Sequence, residues 1–373
     1  MISITKVVTP KQLSAFVDFP HTLYKGDNNY VPELHIAQKD LLTPGKHPFH
    51  EHSTLQLFLA YDEGVIRGRI AAILNNNHNK FKDRNDGFFG FYDLYNDLQV
   101  SEQLLDAAKD WLLEKGVSTM IGPVNPSTNE TAGVLIDGFD LPPVTLMTYN
   151  KPYYIELLTA YGFKKNVDLL AYDLPTVVVD KRTIRLKEAL QKRFQDRDII
   201  IRNVDLNNFN VEVEKIMSVY NAAWEDNTGF VPMTNAEFKY LAKDLKMILD
   251  KDFALIAEQH GKVIGFALAI PDINQTLIKI KRGRLFPTGI FKLLLGKKRI
   301  NYVRVLALGV NKEFRKAGIE AFFYAEIIQK AIDKKLRGGE ASWILEDNEM
   351  MNKGLLKMNA KVYKTYRILE KSI

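Results

Sequence analysis

Apolar and polar positions recur along this chain in two repeats of one order. In the first, residues 1–8 predict a strand, and Pro10 to about Lys25 a helix with proline at its start. A stretch rich in Pro, Asn, His and Gly then predicts a long loop to about Ser53. "TLQLFLAYDEGVIRGRIAAILN" predicts a hairpin turning at Glu63-Gly64, and "GFFGFYDLYND" a further strand. "SEQLLDAAKDWLLEKG" has helical spacing, with Ser101 as the expected cap and Gly116 as the stop. "VSTMIG" predicts a strand, "PYYIELLTAYGF" a helix, and Leu169–Leu174 a strand.

The order returns from about Asp198. "DIIIRNV" predicts a strand and "NNFNVEVEKIMSVYNAAWED" a helix. "DFALIAEQHGKVIGFALAI" predicts a hairpin about His260-Gly261, and "YVRVLALGV" a strand. "KAGIEAFFYAEIIQKAIDKK", "ASWILE", "NEMMNKGLLKM" and "AKVYKTYRILEK" predict helix, strand, helix and strand. The halves share little identity, so the repeat is one of architecture. The spacing predicts a mixed-sheet α/β protein: a first domain over 1–175, a basic linker helix over 176–197, and a second domain over 198–373.

A chain of 373 residues with 46% hydrophobic and 26% charged residues is long enough for two domains with their own cores. The absence of cysteine excludes disulfides, thiolate metal sites and cysteine nucleophiles. No run of signal-peptide type and no 18-residue apolar stretch is present, so a cytoplasmic protein is expected. "HPFHEH" brings together His47, His50, Glu51 and His52, but without a His-x-x-x-His spacing; a surface loop and no metal is the expectation.

Net charge is +6, and its whole excess lies in "IKIKRGRLFPTGIFKLLLGKKRINY", residues 278–302, which holds eight Lys and Arg and no acid. That localises the positive charge and argues against a general nucleic-acid binder. Basic residues flanking Phe286, Ile290, Phe291 and Leu293–Leu295 suit a helix at an anionic membrane surface, a lid over an acyl chain, a clamp on phosphates, or a packed helix with a solvated end.

One turn carries the sharpest chemistry. "RVLALGVNKEFRKAGIEAFFY", Arg304–Tyr324, places a basic pair and a glycine between an apolar strand and a helix. Free amides at a helix N-terminus bind phosphate, and glycine admits close approach. Alone, the turn also suits a capped helix with a solvated basic end. With the order of elements around it, the second half resembles a GNAT acyltransferase, whose pyrophosphate loop reads Arg/Gln-x-x-Gly-x-Gly/Ala. Arg315, Lys316, Ala317, Gly318 and Ile319 fit, and Glu320 departs from the small residue of that pattern. The resemblance implies coenzyme A as cosubstrate, a bulge near Leu308–Val310 pairing with its pantetheine arm, and a helix opened by Asn348; the family's tyrosine acid stands here as Leu355.

The first half resembles the same superfamily without the loop, as a degenerate domain. As a whole the chain is similar to bacterial proteins with tandem GNAT-like halves, through "GPVNPSTNETAGVLIDGFD", "MTYNKPYYIELLTAYGF" and "SWILEDNEMMN". The resemblance implies acyl transfer from acyl-coenzyme A to an amine in a ternary complex. A lipid amine at a membrane surface and a non-catalytic acyl-coenzyme A or lipid binder stand beside it. The candidate base is Glu130, in the polar loop Asn125–Glu130, or Glu346; the candidate acid is Tyr149, in "TYNKPYY". Loop capping, helix capping and aromatic packing explain the same residues without chemistry.

Overall fold

The computed structural model describes residues 1–224 and 230–373. Glu225 and Asp226, the expected end of one helix, lie outside them. The chain first runs β1 (Ser3–Lys6), α1 (Pro10–Asp18), β2 (Thr54–Asp62), β3 (Val65–Leu74), β4 (Asp86–Leu94), α2 (Leu98–Leu113), β5 (Thr119–Gly122), α3 (Tyr154–Ala160) and β6 (Lys164–Pro175). It continues α4 (Lys181–Gln195), β7 (Ile199–Asn203), α5 (Phe209–Trp224), α6 (Asn235–Ile248), β8 (Ala254–Gln259), β9 (Lys262–Pro271) and α7 (Gly289–Lys297). It ends β10 (Tyr302–Val310), α8 (Ile319–Asp333), β11 (Gly338–Leu345), α9 (Glu349–Lys357) and β12 (Lys361–Ser372). Shorter helices and strands fill several loops, among them the strand Val134–Asp137, which pairs antiparallel with β12.

Both hairpins turn on two successive positive-φ residues: Glu63 and Gly64 (48°, 78°), and His260 and Gly261 (49°, 75°). That backbone twist matches the strands it joins, and glycine at the second position makes it cheap. Two local expectations are corrected. Asp97 caps α2, accepting from the Val100 N–H at 3.2 Å, whereas Ser101 is buried one turn in and bonds the Tyr92 hydroxyl at 2.6 Å. Helix α6 was not expected at all, although Thr234 and Glu237 form a capping box at its start.

Two compact units form, and they are not the contiguous halves that the sequence suggests. Unit 1 is Met1–Leu169 with Asn274–Lys298 and Lys364–Ile373; unit 2 is Leu170–Ile273 with Arg299–Tyr363. The division falls within β6 and β12. In unit 1 the strands run β1-β2-β3-β4-β5-β12, with β4 and β5 parallel and the other pairs antiparallel. Helix α2 buries Leu104, Leu105, Ala108 and Leu112 against Phe58, Ile70, Ala72 and Phe89. Removing one such leucine costs about 2–5 kcal/mol.

In unit 2 the strands run β11-β10-β9-β8-β7, again with one parallel pair, β10–β11. The expected linker helix, α4, is no free connector: its Leu190 and Phe194 pack in the unit 2 core with Phe322 and Phe323 of α8, and Lys187 pairs with Glu326 at 2.6 Å. Each unit has a register slip in the strand beside its parallel pair. In unit 1, Ala71 opposes Gly90 but Arg69 opposes Asp93. In unit 2, Leu268 opposes Ala307 but Ala269 opposes Val305, so Leu306 is the extra residue. The bulge therefore lies before the expected Leu308–Val310.

Candidate functional site

In unit 1 the parallel pairing of β4 and β5 spans Asp86–Phe88 and Thr119–Ile121. Beyond it lies a cleft of about 120 Å³, walled by Tyr24, Tyr30, Glu33, Asp93, Asn125 and Tyr149 among others. Glycine is required next to it. A Cβ at Gly90 would lie 1.6 Å from the Val124 carbonyl oxygen, so only glycine lets these backbones meet. The following residue, Phe91, has φ of 49°, and its N–H donates to Asn125 Oδ1 at 2.6 Å. Asn125 thus holds the bulge of β4 in place, and its Nδ2 donates to Thr131 at 3.1 Å.

A buried charge network stands behind the wall. Arg69 donates from Nε and Nη2 to Asp93 Oδ2 at 2.8 and 2.7 Å, and from Nη1 to the Phe16 carbonyl at 2.9 Å. The other oxygen of Asp93 accepts from Tyr24 at 3.0 Å and Tyr154 at 3.2 Å. Tyr149 and Lys151 both serve Asp27, at 3.1 and 2.8 Å. Burial pushes the hydroxyls of Tyr24, Tyr154 and Tyr149 up, so all three stay neutral donors.

Glu33 differs. It is exposed to solvent on the cleft wall, and partial desolvation there pushes its carboxyl up despite the pull of Arg69. The charge of Glu130 pushes it further the same way. Glu130 itself sits 3.5 Å from His47 Nε2. The three loop histidines are turned to separate partners: His50 meets the Leu41 carbonyl at 3.0 Å and His52 meets Ser53 at 2.6 Å. Among the described residues no cluster of three metal-ligating side chains forms.

In unit 2 the parallel pairing joins Tyr302–Val305 of β10 to Gly338–Ala341 of β11, placing Arg304 opposite Glu340. Both are fully buried. Arg304 Nε donates to Ser342 at 2.9 Å, and Ser342 and Tyr363 both donate to the Glu340 carboxyl, which burial pushes up. Leu308 and Val310 pair with Ala267 and Gly265 of β9, Leu308 half-buried and Val310 buried.

The loop before α8 places Arg315 and Lys316 in solvent, with Ala317 and Ile319 buried and Gly318 at φ of 90° as the residue opening the helix. Arg315 Nη2 donates to the Ala223 carbonyl at 2.9 Å. A Cβ on Gly318 would come within 2.7 Å of Leu190 on α4. The Glu320 carboxyl folds back onto its own N–H, is pushed up by burial, and feels the charge of Arg315. A carboxyl therefore stands where the resemblance implies phosphate. Asn348 caps α9 through the Met351 N–H at 3.2 Å, and Glu346 is exposed beside it. Leu355 packs in a core with Tyr172 and Tyr324.

Structure thus puts Glu130 and Tyr149 in unit 1, and the Arg315–Ile319 loop, Leu308, Val310, Glu346 and Asn348 in unit 2. Sequence reasoning missed Glu33, Arg69 and Asp93. Arg69 and Asp93 were visible as charges inside apolar strands; nothing local marks Glu33.

No family model matches the chain. It is 33% identical over 385 residues to the bacterial ceramide synthase of Caulobacter vibrioides, covering 100% of this chain and 98% of that protein. It is 33% identical over 369 residues to protein YghO of Escherichia coli, covering 97% and 93%. Among solved structures it is similar to a tandem GNAT protein from the clavulanic acid biosynthesis pathway, with TM-score 0.59, 9% identity, and 100% and 98% of the two chains covered. A GCN5-related N-acetyltransferase from Sphaerobacter thermophilus matches with TM-score 0.53 and 10% identity, covering 100% and 95%. These structural likenesses concern the fold. With its repeat of GNAT-like order and its two full-length relatives, the chain belongs to the family of the Caulobacter ceramide synthase and YghO, bacterial proteins of the tandem GNAT fold.

Proposed function

We propose that the protein is an acyl-coenzyme A-dependent N-acyltransferase that acts on a lipid amine at a membrane surface. The observation that carries this reading is helix α7. Its Phe291, Leu294 and Leu295 are 64%, 61% and 72% exposed and recur at helical spacing on one face, and Phe286 just before it is 80% exposed. The surrounding segment carries only basic charge. Exposed apolar side chains flanked by lysine and arginine favour the headgroup region of an anionic bilayer, at about 1 kcal/mol per basic residue near the surface. The name of the Caulobacter relative supports a lipid amine and a long acyl donor.

The residues proposed for coenzyme A are Leu308 and Val310 along β10, Arg315, Lys316, Ala317, Gly318 and Ile319 at the pyrophosphate, and Asn348. Exposed Arg315 and Lys316 supply positive charge at a helix start. Glu130, Glu346 and Tyr149 are the acid–base candidates. The amine nitrogen attacks the thioester carbonyl, the C–N bond forms, the C–S bond breaks, and the thiolate takes a proton. Glu320, placed at the helix start, favours a second reading, a non-catalytic acyl-coenzyme A or lipid binder.

The test uses the cysteine-free chain directly, since any thiol released is coenzyme A. Palmitoyl- or acetyl-coenzyme A is mixed with sphinganine or a short amine, with and without anionic vesicles, and thiol is followed. Release with palmitoyl-coenzyme A and sphinganine, stimulated by vesicles, is expected. No release with any pair sinks the transferase reading; vesicle sedimentation unchanged by a Phe291→Ser, Leu294→Ser, Leu295→Ser variant sinks the membrane part.

A further inference from the structure

The cleft of unit 1 holds three acids in its wall or close behind it, with Glu130 near enough to act on Glu33, and two of the three are already matched. Asp93 faces Arg69 and two tyrosine hydroxyls; Asp27 faces Lys151 and Tyr149. Glu33 has no hydrogen-bond or ion-pair partner among the described residues, although Arg69 is near enough to act on it. The Arg69 guanidinium is spent on Asp93 and the Phe16 carbonyl. An exposed carboxylate on a cleft wall, with the nearby cation committed elsewhere, is open to a cationic ligand.

The fold holds Glu33 there. A Cβ on Gly283 would lie 1.7 Å from the Glu33 carbonyl oxygen, so the backbone of the 274–298 segment presses directly on the Glu33 turn. Arg284 pairs with Asp18 at 3.0 Å, and Asn274, which also lines the cleft, donates to the Pro143 carbonyl at 2.9 Å. The stretch that carries α7 is thus clamped onto the turn that carries Glu33, all within unit 1. The rest of the wall mixes Val31, Phe91, Val134 and Met147 with neutral hydroxyls, which suits a polar head on an apolar chain.

We propose that this cleft binds a primary alkyl amine, and that Glu33 is both the counter-ion of its ammonium and the acceptor of the proton that frees the nitrogen. This site deepens the lipid-amine reading above and rests on it for the transfer step alone. R–NH3⁺ and the Glu33 carboxylate become R–NH2 and the carboxylic acid. After attack on the thioester carbonyl, the second nitrogen proton goes to the departing thiolate, and Glu33 returns its own to water. The partial desolvation that pushes the Glu33 carboxyl up suits it to this transfer.

Octylamine and 1-octanol are the probes, titrated calorimetrically into the full chain without acyl-coenzyme A. Tenfold or tighter binding of the amine over the alcohol is expected. Glu33→Gln is expected to erase that preference while leaving octanol affinity unchanged, and Glu33→Asp to restore part of it. The Glu33 side chain makes no bond, so the thermal midpoint should not move. Equal binding of amine and alcohol by the natural chain, or an amine preference retained in Glu33→Gln, overturns the proposal. Amine binding that depends on Glu33 with no thiol release in the assay above leaves the site standing and removes the transferase reading.

Discussion

In unit 1 the parallel strands β4 and β5 lie beside a cleft where Glu33 meets solvent; in unit 2 the equivalent strands β10 and β11 carry Arg304 and Glu340 face to face, closed in by Ser342 and Tyr363. Both units start from the same order of elements and the same register slip. What separates them is where the charge is left. Unit 2 encloses Glu340 with Arg304 and offers positive charge at a helix start, whereas unit 1 encloses Asp93 with Arg69 and leaves Glu33 accessible on its cleft wall. The unit that lacks the Arg-x-x-Gly turn thus carries the cleft with the accessible acid, and the absence of one motif says little about the remaining wall.

The largest expected effect comes from removing one arginine from each unit. Arg69→Met leaves Asp93 buried without its cation and should cost about 3–5 kcal/mol. Arg304→Met should cost less, because Glu340 is already pushed up by burial and escapes by taking a proton. Pulse proteolysis with fragments assigned to each unit reads both; equal losses would erase the contrast. Next, Gly283→Val should destabilise unit 1 by about 3 kcal/mol, since φ there is 59° and the new Cβ meets the Glu33 carbonyl. A thermal midpoint within a degree of the natural one would contradict the close approach.

A smaller change should sharpen unit 2. Glu320→Gln removes a carboxyl from the helix start and should tighten coenzyme A about fivefold, or about 1 kcal/mol, by calorimetry. Unchanged affinity would move the cosubstrate away from Arg315–Ile319. The last comparison is in pH. His21 of unit 1 is held down to about 4 by burial against an ordinary 6.5, so its share of stability is whole above 6.5 and fades as pH falls toward 4. In unit 2, Arg202 holds Glu212 and Glu258 below their ordinary 4.5, and that share fades only under about 4.5. Proteolysis at pH 7, 5.5 and 4 should open unit 1 first, and His21→Phe should shorten its lead, the remainder resting on His35 and His50, which burial also holds down.

Much of this fold was legible because it rests on local signals. Glu63-Gly64 and His260-Gly261 announce their turns by residue type, and α2 by its apolar spacing. Helix α6 escaped although Thr234 and Glu237 mark its start, because its apolar face is short and follows a Pro- and Asn-containing loop. The exchange of Asn274–Lys298 and Lys364–Ile373 into unit 1 left no local trace, since it depends on which surfaces meet. Candidate chemistry can be proposed from sequence where it follows a motif, as at Arg315–Gly318. Glu33 follows none: an acid in "YVPELHI" looks like any solvated turn until Gly283 and the cleft wall are placed beside it.

The strand β12 has one more consequence, for synthesis. Unit 1 needs Lys364–Ile373 beside β5, yet about 200 residues separate that segment from Leu169. At roughly 5–20 residues per second, the earlier-made unit waits on the order of 10–40 s for its closing strand. During that interval the β5 edge, from Thr119 to Gly122, is an unpaired template that a chaperone or a neighbouring nascent chain can occupy.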